Sequence, residues 1–75
     1  MRKPPQVSAR KLLAALRRAG FVVCRQSGSH AFLRHPVTGH TTIVPMHTGS
    51  LKPEFVSGIL KQAGIGDDEF LDLLG

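Results

Sequence analysis

"FVVCRQSGSHAFLRHPVTGHTTIVPM", residues 21–46, decides the fold. Its β-branched and apolar residues fall in three short runs, 21–26, 30–35 and 41–46. Ser27-Gly28-Ser29 separates the first two and "PVTG" (36–39) the last two, and both separators are turn sequences. Each run is too short for a helix and long enough for a strand, so the stretch predicts three consecutive antiparallel strands. If "PVTG" is a four-residue loop, His35 pairs with His40, and position 30 then faces 45 and position 28 faces 47. Pro45 has no N–H to give to a ladder, so it belongs at an edge or a bulge.

Helical periodicity flanks this stretch. In "SARKLLAALRRA" (8–19), Ala9, Leu12, Leu13 and Leu16 repeat at helical spacing. Ser8 is placed to cap that helix, Val7 to pack on Leu12, and Gly20 to end it in a left-handed conformation. Arg10, Arg17 and Arg18 fall on the opposite face as a basic stripe. Pro53 opens a second helix as its first residue. Phe55, Val56, Ile59, Leu60 and Ala63 form its buried face, and Gly64 ends it. "DDEFLDLL" (67–74) predicts a short third helix whose acids favour the positive end of its dipole. Three strands with one face under two main helices give a two-layer α+β domain.

The chain has 75 residues, enough for one domain, residues 1–75, with 1–6 as a loose arm. A chain this short buries only about 60–65% of its unfolded surface, so any site is shallow. One cysteine, Cys24, excludes an internal disulfide and suits a reducing, cytoplasmic setting. No apolar run approaches the ~20 residues that span a bilayer, so no membrane role is expected. The net charge is +5, and no acid occurs before Glu54. Such a one-sided field favours a polyanion partner.

Four histidines stand at 30, 35, 40 and 47. No pair has helical ligand spacing, and His30 and His35 point to opposite faces of one strand, so the pattern predicts no metal site. His35 and His40 flank the hairpin corner and read as solvated turn residues. His30 and His47 become diagonal neighbours on one side of the sheet in the register above, about 7–8 Å apart by backbone. Imidazole can give and take a proton near neutral pH. RNA carries its own nucleophile, the 2′-hydroxyl, so a shallow site needs little more than proton transfer and charge stabilisation. Gly28 lets a phosphate approach the backbone, Ser29 can donate to it, and Arg25 and Arg34 can supply charge.

"GFVVCRQSGSHAFLRHP", "TIVPMH", "ILKQAGI" and "DDEFLDLL" together resemble the HicA family of toxin mRNA interferases. The likeness runs from about Ser8 to Leu74 in the family's order and spacing. It implies a double-stranded-RNA-binding-domain-like fold, α-β-β-β-α, with a three-stranded antiparallel sheet. It also implies metal-independent endoribonucleolytic cleavage of mRNA without a cofactor, and inhibition by a HicB-type antitoxin. The family's catalytic histidine, in Gly-Ser-His, falls on His30. His47, after Val-Pro, matches a recurrent histidine and with Ser29 is a candidate accessory group. Gly28, Arg25, Arg34 and Lys52 are the candidate phosphate-binding residues. The chain departs from the family where a glycine is usual near the start of the second helix, since "PEFVSG" places Glu54 there and Gly58 inside the helix. The fold also permits a non-catalytic double-stranded-RNA-binding module, using Arg10, Arg17, Arg18 and Lys52. A protein-docking domain without nucleic acid is a third reading.

Overall fold

The computed structural model describes residues 6–46 and 49–74. Ser8 opens helix α1 (Ala9–Arg18) as the sequence predicts, its Oγ accepting from the Lys11 N–H at 3.1 Å. Val7 and Leu12 are both buried at that end, as a hydrophobic staple requires. At the other end the Gly20 N–H donates to the Arg17 carbonyl and the Phe21 N–H to the Leu16 carbonyl, both at 3.0 Å. Gly20 takes φ +104°, so this is a Schellman closure on a glycine. Helix α2 (Pro53–Ala63) ends the same way, with Gly64 at φ +73° and the Ile65 N–H donating to the Leu60 carbonyl. Helix α3 (Asp67–Leu74) follows, anchored by the fully buried Phe70.

Strands β2 (Val22–Ser27), β3 (His30–Arg34) and β4 (Thr41–Pro45) form an antiparallel sheet in the order β2-β3-β4. The β3–β4 register is the expected one, with His30 opposite Pro45 and Arg34 opposite Thr41. Pro45 lies on an edge strand. The first strand starts one residue later than expected because Phe21 is spent on closing α1, where it is buried. Two further short strands, β1 (Val7–Ser8) and β5 (Ser50–Leu51), pair with each other. This pairing ties the chain before α1 to the chain before α2, and so holds Lys52 and the start of α2 in place.

The inner face of the sheet and the two long helices share one cluster that includes Leu12, Leu16, Leu33, Val44, Val56, Leu60 and Phe70. Val56, Ile59, Leu60 and Ala63 are buried as expected, but Phe55 is not: it is 61% exposed. At 100° per residue it stands about 90° from the centre of the α2 apolar stripe, on the side shared with Gly58 and Gln62. Gly58 is exposed, and a Cβ added there would meet nothing within 4 Å. Gly58→Ala therefore stabilises the protein by about 0.5–1 kcal/mol through helix propensity alone. Thermal melting checks this, with a rise in Tm expected and a fall contradicting it.

The basic stripe is smaller than the sequence suggests. Arg10 and Arg17 are exposed, but the Arg18 guanidinium donates to the Leu73 carbonyl at 2.6 Å. There it meets the negative end of α3 and fastens that helix to α1.

His35 is also no solvated turn residue. It is half-buried, with Nδ1 accepting from the Val37 and Thr38 N–H groups at 3.1 and 3.3 Å. Those donors leave the ring proton on Nε2, which donates to the Ala19 carbonyl at 3.1 Å. The ring also meets Phe21 edge-on, with 5.2 Å between centroids. His40, although exposed, lies over Gly64: a Cβ there would fall 2.7 Å from its ring. Each histidine at the β3–β4 corner thus covers the glycine that ends one of the two long helices.

Candidate active site

The outer face of the sheet has three rows, set by the register. Ser27, His30 and Pro45 form the first, Arg25, Phe32 and Ile43 the second, and Val22, Arg34 and Thr41 the third. Ala31, Leu33, Thr42 and Val44 point inward and are buried. His30 therefore opens β3 on the solvent side and is exposed. The turn before it is the two-residue connection Gly28-Ser29, with Gly28 at φ +58° and open space where a Cβ would stand. Such a turn tolerates glycine best at its first central position. Both turn residues are exposed at the head of the hairpin beside His30.

A bulge puts Arg25 on the same face. Val23 pairs with Leu33, but Arg25 pairs with Phe32, so Cys24 is one residue in excess on β2. Regular alternation would turn Arg25 towards the helices; the extra residue re-aims it outward. Its guanidinium lies over the Phe32 ring, 5.4 Å from the centroid, one row from His30 on the same face. Arg34 is different. It stands four residues along β3 from His30, about 13 Å away, with Phe32 between them. The structure does not bring Arg34 to His30.

Lys52 is brought there from the other side. A groove runs along β4 and the start of α2, and His30, Ile43, Pro45, Lys52, Phe55 and Gly58 all line it. The candidate accessory residue His47 lies outside the described residues. Among the described residues no three His, Cys, Asp or Glu side chains cluster as metal ligands would.

The arrangement suits chemistry on a polyanion at a surface. One imidazole is open to solvent, backbone and hydroxyl donors stand in the adjoining turn, and Arg25 and Lys52 lie on either side. Sequence reasoning missed the apolar part of the site, Phe32, Ile43 and Phe55. Phe55 was legible only as a residue at the margin of its helix stripe, and Ile43 only once the inward face of β4 was known.

No helix among the described residues is long and apolar enough to cross a membrane. A family model described as "HicA toxin of bacterial toxin-antitoxin" matches residues 9–65, which covers every residue assigned to the site. No curated protein gives a significant match.

Proposed function

The chain belongs to the HicA family of bacterial toxin–antitoxin toxins, and from that premise we propose that it is an endoribonuclease that cuts mRNA at His30. The single observation that carries this reading is the exposure of His30 on the open face of the sheet, beside the Gly28-Ser29 turn and between Arg25 and Lys52. His30 takes the proton from a ribose 2′-hydroxyl, and the 2′-oxygen attacks the neighbouring phosphorus. The bond to the 5′-oxygen breaks, leaving a 2′,3′-cyclic phosphate on one fragment and a 5′-hydroxyl on the other, which gains its proton from solvent. Arg25, Lys52 and the donors of the turn hold the phosphate and offset the charge that grows on its oxygens. No cofactor takes part.

The partner implied by the family is an antitoxin, and the proposal is a HicB-type protein that binds over His30 and keeps RNA out. The toxin then acts in the cytoplasm, where its mRNA substrate is. The stretch of sequence before Glu54 is basic and contains no acid, which suits either a polyanionic substrate or an acidic inhibitor.

Purified protein incubated with single-stranded RNA in excess chelator tests the reading. Fragmentation is the expected result. Intact RNA retained in a salt-sensitive complex would instead identify a binding module, and RNA neither cut nor retained would identify a protein-docking domain.

A further inference from the structure

The apolar part of the groove beside His30 is unexplained by proton transfer and phosphate binding. Phe55 is the outlier of α2: the other apolar residues of that helix are buried, and this ring is mostly in water. It shares the groove with His30 and Lys52. Ile43, 48% exposed, and Pro45 line the sheet side. One helical turn beyond Phe55, Gly58 contributes no side chain, and the space its Cβ would take is open. A flat ring and an aliphatic wall, with Lys52 and Glu54 on the same lining, are the parts of a stacking site for a base.

We infer that this groove holds an unstacked base of single-stranded RNA against Phe55, on the nucleotide next to the bond that is cut. The inference rests on the reading of the protein as an RNA-cleaving toxin and names its substrate class as unpaired RNA. A base within a duplex is stacked on both faces and has none to offer Phe55. The groove is continuous with His30, so a strand whose phosphate lies at His30 carries a neighbouring base past Phe55. Phe55 is therefore a base-binding residue that selects unpaired strands, while His30 does the chemistry.

Binding of a short 2′-O-methyl RNA, which has no free nucleophile, separates this from the cleavage reading. The probe carries 2-aminopurine at one position at a time and is tested with the wild type, Phe55→Ala and Phe55→Trp. The expected result is fluorescence quenching at one position and a roughly 5- to 150-fold weaker affinity for Phe55→Ala. Phe55→Trp should bind at least as tightly as the wild type, and all three should melt alike because the side chain is exposed. Equal affinity of Phe55→Ala would overturn the base site and assign the groove to a protein partner. Binding of the annealed duplex as tight as that of the single strand would overturn it too. If Phe55→Ala loses binding but the wild type leaves natural RNA uncut, the nuclease reading falls and the base site stands. If Phe55→Ala cuts RNA with unchanged kcat and KM, the base site falls and the nuclease reading stands.

Discussion

His30→Ala abolishes most RNA cleavage, by about 10²–10⁴-fold in rate, the usual contribution of one positioned acid–base group. The side chain is exposed and opens an edge of the hairpin, so its loss should leave melting unchanged within about 0.5 kcal/mol. RNA affinity should change little, because Arg25, Lys52 and the turn donors remain. The prediction is thus a fall in kcat at nearly constant KM, the signature of an interaction made in the transition state. In cells, the variant should lose toxicity while still accumulating. Cleavage within a few-fold of the wild type would remove His30 from the mechanism. His30→Gln keeps hydrogen bonding but cannot relay a proton, and it should be as inactive as the alanine variant.

Gly20→Ala lowers stability more than a left-handed glycine alone would require. The position combines φ +104° with a ring lying on it, and an added Cβ would stand 2.7 Å from His35 Nε2. A left-handed conformation costs a non-glycine residue about 1–3 kcal/mol. Displacing His35 also forfeits its bond to the Ala19 carbonyl, adding about 1 kcal/mol. The sum, about 2–4 kcal/mol, lowers Tm by about 4–8 °C for each kcal/mol in a domain of this size. Gly39→Ala is the control. Its φ is +79°, but nothing lies within 4 Å of the new Cβ, so it pays only the backbone strain. Gly20→Ala should therefore melt lower than Gly39→Ala, and Gly20→Ala should cost less in a His35→Ala background than in the wild type, since there the clash is absent. Equal melting of the two glycine variants would contradict the clip between the hairpin corner and the end of α1.

These two positions show how far the sequence could be read. The three strands and the β3–β4 register were legible because "PVTG" fixes the loop length, and loop length fixes the pairs. The caps were legible because Ser8, Gly20, Pro53 and Gly64 each have a local conformational reason to stand where they do. The outward face of β3 was not legible, since Ala31, Phe32 and Leu33 are all apolar and alternation cannot choose between them. Nor was the direction of Arg25, because the bulge at Cys24 breaks the period on which such a reading depends. His35 and His40 looked like turn residues because their partners, the ends of α1 and α2, are remote in sequence. The β1–β5 pair has two residues a side, too few to show any period.

His30 was placed by the motif rather than by geometry, and its exposure had to come from the fold. Arg25 and Lys52 join it for different reasons, one through a bulge and the other through the short β1–β5 pairing. Arg34 does not, because four residues of extended chain is too far. Phe55 reaches the site because the α2 stripe is narrower than the run of apolar residues suggests.

The chemistry of the fragment ends tests the central claim most directly. RNA cut by the purified protein in chelator should carry 2′,3′-cyclic phosphate and 5′-hydroxyl ends by mass spectrometry, and a single 2′-deoxynucleotide at the cleavage position should block that cut. Fragments with 3′-hydroxyl and 5′-phosphate ends, or undiminished cutting beside the deoxynucleotide, would mean that water is the nucleophile and would contradict the account of His30.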